Sequence, residues 1–369
     1  MQSLTDRWLA LRNRLLMNGR FHRWAARFPL TRPITRRRTR ELFDIAAGFV
    51  YSQVLHACVS LELLDFLAES PRSFAELHNH TGLDQDALQR LLLAATSLKL
   101  IQPCGDERYT LGAHGAAMLG NPGISAMVRH HSMLYADLAD PVALLKDRSD
   151  SQLSRYWAYA TASDPGQLEA PAVRDYSDLM AQSQAFVASD ILDAFPMRRH
   201  QRLLDLAGGE GVFVGQAARR WPHLEVSLFD LPAVAGIARD RIERLGLGDR
   251  IRVIGGDLFG DDVPGGFDLA SLVRVVHDHD DAAALAILEA AHRALSPGGR
   301  LLIAEPMAGT PGAEPMGDAY FGLYLWSMGS GRARRVAELR DMLARAGFSG
   351  VREVRTARPL LVRLLVADA

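Results

Sequence analysis

A dense run of polar side chains, Arg274-Val275-Val276-His277-Asp278-His279-Asp280-Asp281, follows directly after an apolar segment that is typical of a buried strand. Open α/β sheets bind their ligands at the carboxyl ends of their strands. His277 is the first imidazole after the strand, so we predict that it faces the crevice as a general base. Asp278 is a candidate for the same chemistry or for capping the next helix.

The same run admits a metal site as an alternative, because His277 and His279 alternate as ligands would. No other histidine or cysteine is placed by a motif to join them. We therefore predict that no metal is bound. The closing pair of aspartates is equally explained as the negative start of a helix.

A carboxylate ends the next strand along the chain, at Glu305 in the segment LLIAEP. The two strands are predicted neighbours in the sheet, which places Glu305 near His277. A carboxylate there can orient the imidazole and stabilise the imidazolium that forms when the ring takes a proton. The alternative is that Glu305 pairs with a surface arginine.

A glycine-rich turn follows the first predicted strand of the C-terminal half. The strand ends at Asp205, and Gly208, Gly209 and Gly211 come next, so a ligand can lie against backbone N–H groups at the start of a helix. The turn fits the dinucleotide fingerprint imperfectly, because Val214 stands where that fingerprint has its third glycine. By itself the turn does not separate a nicotinamide enzyme from a methyltransferase.

Acidic residues also end the second and third strands, and they extend this predicted cofactor site. Asp230, followed by Leu231, is placed to accept hydrogen bonds from the ribose hydroxyls of an adenosine. Asp257 is placed to accept one from the adenine amino group, with Leu258 and Phe259 beside the ring. Asp257 can alternatively cap a following helix. Arg274 either contacts the cofactor or faces acidic neighbours.

A second group of side chains is a candidate acceptor pocket, because thioethers and flat rings suit a long or flat apolar substrate. Its members are His131, Tyr135, Met307, Phe321, Tyr324 and Met328. Each of them can equally be a core residue.

The elements that position these residues form a C-terminal α/β domain. From Arg202 onward, short runs rich in leucine, isoleucine and valine alternate with helical segments, as in a parallel sheet buried on both faces. Two strand-like runs joined at Arg358-Pro359 predict a final hairpin with one antiparallel strand. The predicted domains are a basic arm (1–40), a winged-helix-like dimerisation domain (41–115), a helical linker with substrate-pocket residues (116–195) and a Rossmann-like domain (196–369).

The pattern of the N-terminal half is helical. The stretch from Glu41 to about Leu67 is so apolar that we expect it to pack against another surface. A helix, a turn at Thr81-Gly82, a second helix and a strand pair then form a winged-helix pattern. Its would-be recognition helix offers Asp84, Asp86 and only Arg90 to solvent, so we predict a packing module and no nucleic-acid partner.

Composition sets the remaining limits. The chain has 369 residues and two cysteines, which excludes a disulfide framework and suits a reducing cytoplasm. We find no apolar run that approaches the roughly 20 residues of a transmembrane helix, and expect a soluble or peripheral protein. The net charge of −1 hides an asymmetry, because residues 1–40 hold eleven arginines and one acid. That arm suits a membrane surface, a partner subunit or, less well, nucleic acid.

Taken together, the segments LLDLAGGEG, GGDLF, RVVHDHDD and LSPGGRLLIAEP resemble the O-methyltransferases that include plant phenolic and acetylserotonin enzymes. The resemblance covers residues 41–369. It implies a homodimer that binds S-adenosylmethionine through the glycine turn and the strand-end acids. It also implies that His277 is the general base and that Glu305 holds it.

The chain departs from that family at two points. The family's tryptophan after His-Asp is His279 here, and a second supporting glutamate is replaced around Ala333. More narrowly, the segment RWAARFPLTRPITRRRTRELFDIAAGFVYSQVL resembles the branch that methylates hydroxycarotenoids in phototrophic bacteria. That implies the tertiary hydroxyl of an acyclic carotenoid as acceptor. The alternatives are another acceptor, such as a phenolic polyketide or a bacteriochlorophyll precursor, and a donor-binding winged-helix regulator.

Overall fold

The computed structural model describes residues 4–157 and 170–369, with side chains from residue 176 onward in the second range. The chain divides into two compact units, Met1–Ala117 and Met118–Ala369. The first is helical with a small sheet, and the second carries a mixed seven-stranded sheet covered by helices. The predicted α/β class with an N-terminal helical domain is confirmed. The four-part division of the chain stays a prediction.

The first unit begins with four helices and continues as a winged helix. Its helices are α1 (Leu4–Leu16), α2 (Gly19–Arg27), α3 (Arg32–Ser60), α4 (Leu63–Glu69), α5 (Phe74–Thr81) and α6 (Gln85–Ser97), and its strands are β1 (Arg72–Ser73), β2 (Ile101–Cys104) and β3 (Arg108–Leu111). Ser73 and Glu76 form a capping box at the start of α5, and Asp84 caps α6. Gly82 ends α5 in the left-handed conformation, so the turn lies at the predicted position.

Helix α3 departs from two of our expectations. It begins at Arg32, well before Glu41, and within this chain its apolar residues Leu42, Phe43, Ile45 and Phe49 are exposed. The later part of the predicted stretch is buried within the chain, as at Cys58 and Val59, whereas the described part of the chain supplies no packing partner for the four exposed residues. Its length and composition, with a mean hydropathy of 1.4 over 18 residues, also suffice for a membrane span, contrary to our prediction. Core helices of soluble proteins and signal sequences near an N-terminus have a similar length and composition.

A set of helices precedes the large sheet. They are α7 (Ala113–Leu119), α8 (Pro122–Asp137), α9 (Pro141–Lys146), α10 (Gln152–Tyr156) and α11 (Ala170–Ala194). Residues 158–169 of the predicted helical linker lie outside the described residues.

The sheet consists of β4 (Arg202–Leu206), β5 (Glu225–Asp230), β6 (Ile251–Gly255), β7 (Phe267–Val273), β8 (Leu295–Glu305), β9 (Ser349–Val354) and β10 (Arg363–Asp368). Its order is β6-β5-β4-β7-β8-β10-β9, and β10 runs antiparallel to both of its neighbours, as the predicted hairpin requires. The connecting helices are α12 (Val212–Arg220), α13 (Pro232–Arg244), α14 (Asp281–Ala294), α15 (Phe321–Met328) and α16 (Val336–Arg345). Alternate residues of each strand enter two separate cores, for example Leu203 on one face and Leu204 on the other.

The strand order determines which loops meet. Strands β4 and β7 are neighbours, as are β7 and β8, so the loops after Leu206, Val273 and Glu305 emerge side by side. Strand β5 lies on the other side of β4 and ends at Asp230. The polar residues that end these strands therefore gather at one edge of the sheet.

Candidate active site

The turn after β4 brings its backbone close to a cavity. Gly209 and Gly211 have φ of 56° and 77°, a region that favours glycine, and Ala207 is held at 50° despite its side chain. A Cβ at Gly208 would meet the Asp205 carboxylate at 2.7 Å, so a larger residue there has no room. Gly211 is the N-cap residue of α12, and the first N–H groups of this helix point toward the turn.

Two buried acids secure this turn. Asp230 accepts hydrogen bonds from the backbone N–H groups of Gly209 and Leu231, each at 2.7 Å. Burial raises the pKa of Asp230 to about 6 although both bonds oppose that change. Asp205 accepts a 2.6 Å hydrogen bond from the Ser271 hydroxyl, and burial raises its pKa to about 7. Both acids therefore brace the loops as well as lining the cavity.

A cavity of about 320 Å³ lies against the turn, within the size range of small-molecule sites. Nine of the ten predicted cofactor-binding residues line it: Asp205, Gly208, Gly209, Asp230, Leu231, Asp257, Leu258, Phe259 and Arg274. The tenth, Gly211, is not part of the lining and is instead the N-cap residue of α12. The geometry thus gathers residues that are up to about 70 positions apart in the sequence.

Asp257 and the rings around it form one end of this cavity. The Asp257 carboxylate accepts a 2.9 Å hydrogen bond from the Phe259 backbone and braces a turn, and no helix begins there. The helix-capping alternative for Asp257 is therefore wrong. His279 lies 5.8 Å from the Phe259 ring, and burial lowers its pKa to about 4. A neutral aromatic ring thus stands where related enzymes are expected to have tryptophan.

His279 has different surroundings from His277, because aromatic rings lie next to it. Its ring also lies 6.2 Å from Trp157, which lines the same cavity. Within residues 4–157 and 170–369, no group of three or more His, Cys, Asp or Glu residues is arranged to hold a metal.

His277 lies in a short 3₁₀ turn directly after β7 and is held from both sides. Its Nδ1 hydrogen-bonds Oε2 of Glu305, and its Nε2 lies 3.2 Å from Oδ1 of Asp278. The other oxygen of Glu305 accepts the backbone N–H groups of Val275 and Val276 at 3.1 and 2.8 Å. Glu305 is 2% exposed and held by these groups, so the alternative pairing with a surface arginine is wrong. Its bond fixes the proton on Nδ1 and leaves the lone pair on Nε2.

The electrostatic balance around His277 favours proton uptake. Burial by itself lowers the pKa of the ring, but Asp278 and then Glu305 more than offset it, and the pKa is raised above its ordinary value. Burial also raises the pKa of the Asp278 carboxyl. An imidazole between two carboxylates can therefore take a proton without creating an isolated buried charge.

The segment around Ala333 binds the backbone of the loop that carries His277. Arg332 donates its backbone N–H to the His277 carbonyl at 2.8 Å. The buried Arg334 side chain donates to the carbonyls of Val276 and His279 at 2.7 Å. The stretch that lacks the expected second glutamate thus braces the loop through arginine.

Arg274 joins the site to helix α11. It adopts φ of 60°, an unusual backbone conformation for a side-chain-bearing residue, and donates to the Ser183 hydroxyl at 2.7 Å. A second group of its guanidinium lies 3.3 Å from the Met180 sulfur. The hydrogen bonds of the arginine therefore go to neutral groups of α11, while its charge acts on the nearby Asp278 carboxyl and lowers the pKa of that group against the effect of burial.

A second, smaller cavity of about 40 Å³ adjoins the first. Its lining consists of Met127, Tyr176, Met180, Arg274, His277, Asp278, Tyr320, Phe321, Tyr324 and Met328. Tyr176, Met180, Arg274 and Asp278 line both cavities, so the two spaces meet beside the imidazole. Of the predicted acceptor residues, Phe321, Tyr324 and Met328 are placed here.

The other three predicted acceptor residues lie elsewhere. Met307 is 2% exposed and packs in the core between the sheet and α16, so its place in the pocket was wrong. His131 hydrogen-bonds the Tyr320 hydroxyl at 2.8 Å, and its ring lies 6.0 Å from that of Tyr135. These two form a layer behind the cavity wall.

Sequence reasoning missed several lining residues. Tyr176, Met180 and Gln184 come from α11, whose regular helical pattern gives no sign that one side faces a cavity. Glu210, in the glycine turn itself, is 5% exposed and pairs with Arg241 at 2.9 Å through one oxygen. Its other oxygen accepts no hydrogen bond from a donor among the described residues, and burial and then the neighbouring Asp178 carboxyl raise the pKa of Glu210. The sequence offered one signal for Glu210, because a charged residue inside a glycine turn indicates contact with a ligand.

Comparison with known proteins gives the family. The O-methyltransferase domain matches residues 135–349, and the O-methyltransferase dimerisation domain matches residues 43–121. The chain is 40% identical to the demethylspheroidene O-methyltransferases of Cereibacter sphaeroides and Rhodobacter capsulatus, over 96% of its length and 93% and 88% of theirs.

A solved structure agrees in fold. The crystal structure of human N-acetylserotonin methyltransferase with SAM superposes with a TM-score of 0.72 at 21% identity, over 89% of this chain and 97% of that one. The glycine turn and the paired cavities agree with these matches. The chain belongs to the family of S-adenosylmethionine-dependent O-methyltransferases that carry a dimerisation domain.

Proposed function

We propose that this enzyme methylates the tertiary C1 hydroxyl of an acyclic hydroxycarotenoid, such as demethylspheroidene or 1-hydroxyneurosporene. The observation that carries the proposal is the 40% identity to two demethylspheroidene O-methyltransferases over nearly the whole chain. Phe321, Tyr324 and Met328 border the small second cavity next to His277, which suits the apolar end of such an acceptor beside its hydroxyl.

The residues of the larger cavity fit S-adenosylmethionine, which supplies a methyl group on a sulfonium. Asp230 is the ribose ligand in our proposal, and Asp257 with Leu258 and Phe259 holds the adenine. Glu210 has a buried carboxylate oxygen without a donor among the described residues, which suits the ammonium group of the amino-acid part. We propose no metal, since the described residues already supply a base and charge stabilisation.

In the proposed mechanism, His277 and Asp278 hold the acceptor hydroxyl where the two cavities meet. The oxygen lone pair forms the new C–O bond, and the electrons of the broken S–C bond stay with sulfur. Nε2 of His277 takes the hydroxyl proton, and Glu305 stabilises the imidazolium through Nδ1. A tertiary alcohol is only weakly acidic, so the proton leaves late, as the oxygen becomes positive. Positioning therefore supplies much of the rate enhancement.

Expression in a host that accumulates the hydroxylated carotenoid tests this function directly. We expect a methoxy carotenoid, heavier than the acceptor by the mass of one CH₂ group, only when the chain is present. Purified enzyme with labelled donor and a phenolic polyketide or a bacteriochlorophyll precursor provides the comparison. Efficient labelling of either of these, with no labelled carotenoid, would replace the proposed acceptor. Salt-dependent DNA binding without methyl transfer would favour the regulator instead.

We also propose a cytoplasmic homodimer that contacts the inner or intracytoplasmic membrane through its N-terminal arm. The dimerisation-domain match begins at residue 43 and includes Phe43, Ile45 and Phe49. Those exposed apolar residues of α3 suit a contact with the second subunit. The carotenoid acceptor itself dissolves in lipid, which gives the enzyme a reason to visit a membrane.

A further inference from the structure

Helix α1 is amphipathic, and its apolar side is open to solvent. Leu4, Trp8, Leu11 and Leu15 recur at intervals of three and four, so they share one side of the helix. Their exposed fractions run from 86% at Leu4 to 44% at Leu15, and no residue of α1 is buried. A helix that keeps such a stripe in water lacks the partner that would stabilise it.

Arginines border this stripe on both sides. At 100° per residue, Arg7 and Arg14 fall on one flank and Arg12 on the other. The Arg12 guanidinium lies 5.5 Å from the Trp8 ring, which keeps the cation beside the apolar surface. Apolar centre and cationic borders are the arrangement of helices that lie in the headgroup region of a bilayer.

Helix α2 and its C-cap residue, Phe28, carry a second group of aromatic rings. Phe21, Trp24 and Phe28 recur at intervals of three and four, and the rings of Trp24 and Phe28 are stacked 5.1 Å apart. Trp24 is 52% exposed. Aromatic rings of this kind concentrate at membrane interfaces.

The position of these helices separates them from the dimer contact. The dimerisation domain matches residues 43–121, and both α1 and α2 end before it begins. Eleven arginines and one acid in residues 1–40 also repel a second copy of the same segment, whereas they attract an anionic surface.

We propose that α1 and α2 form a docking surface for bilayers that contain anionic lipids. The proposed function enters this inference at one point only: docking would bring the enzyme to an acceptor that is dissolved in the membrane. Trp8, Leu11 and Trp24 insert among the headgroups, and the bordering arginines bind phosphate groups. Docking is reversible and weakens with salt, because much of the attraction is between charges.

Flotation of the full-length enzyme with vesicles tests the proposal without any carotenoid. We expect the enzyme to float with phosphatidylcholine vesicles that contain phosphatidylglycerol and to remain below with phosphatidylcholine alone. The double variant Trp8→Ser/Leu11→Ser should reduce the bound fraction at least about tenfold. Arg7→Gln/Arg12→Gln/Arg14→Gln should reduce it about 100-fold at low salt. Leu145→Ser, at a residue of α9 that is 55% exposed, is the matched control and should bind normally.

Two further measurements distinguish membrane docking from a role of this surface in catalysis or in dimerisation. Methyl transfer to carotenoid in detergent micelles reports the proposed function, and the arm variants should retain it. Equal binding to neutral and anionic vesicles would overturn the docking proposal even if micellar activity is high. So would a shift from dimer to monomer in the Trp8→Ser/Leu11→Ser variant, or binding to duplex DNA in place of vesicles.

Discussion

Replacing His277 by alanine is expected to lower kcat about 10²- to 10⁴-fold at saturating S-adenosylmethionine, the range for loss of a general base. The reason is geometric. Nε2 of His277 carries its lone pair where the two cavities meet, and the hydrogen bond from Nδ1 to Glu305 fixes this tautomer of the ring. Donor affinity should change little, since His277 does not line the larger cavity. Steady-state kinetics and calorimetric titration with S-adenosylhomocysteine separate these effects. Unchanged turnover would remove His277 from the role.

The pH dependence of the wild-type enzyme follows from the same site. Only the neutral imidazole accepts a proton, so activity should rise with pH as His277 deprotonates. Asp278 and Glu305 raise the pKa of this ring above its ordinary value despite burial. The rising limb of kcat/KM should therefore lie above the ordinary histidine range, and it should be absent in His277→Ala.

The second large effect is expected for Glu305→Gln. The amide oxygen can still accept the N–H groups of Val275 and Val276, so the loop should keep its fold. The amide NH₂ would face Nδ1 of His277 and donate to it, which moves the ring proton to Nε2. In that tautomer Nε2 has no lone pair for the substrate, and we expect a loss of about 10²- to 10⁴-fold in kcat.

The pH profile distinguishes this mechanism from simple damage. The charge of Glu305 raises the pKa of His277, so its removal should shift any residual rising limb to lower pH. Thermal unfolding serves as the control and should stay close to that of wild type. A Glu305→Gln enzyme with full activity and a native pH profile would show that Glu305 only braces the backbone.

The sheet and its strand-end residues were predictable from the sequence because their signals are local. Asp230 and Glu305 each end an apolar run, and parallel strands bring such ends to one edge. The turn at Thr81-Gly82 was likewise marked in the sequence, and Gly82 ends α5 there in the left-handed conformation. The family resemblance then joined these residues into one site.

The errors came from features that depend on contacts distant in the sequence. Met307 has the composition of a pocket residue, but the loop after β8 turns its side chain into the core. The wall contributed by α11 was invisible because helical periodicity does not say what a helix faces. For α3, we looked for an uninterrupted apolar run, whereas the helix is apolar enough for a membrane span on average over 18 residues.

The most direct test of the proposed reaction is methyl transfer by the purified enzyme to a 1-hydroxy acyclic carotenoid in micelles, with methyl-labelled S-adenosylmethionine and with His277→Ala alongside. We expect the label to appear as a methyl ether at C1 with wild-type enzyme and to fall at least about 100-fold with the variant. Label on another acceptor only, or equal labelling by both enzymes, would contradict the proposed acceptor and the role of His277.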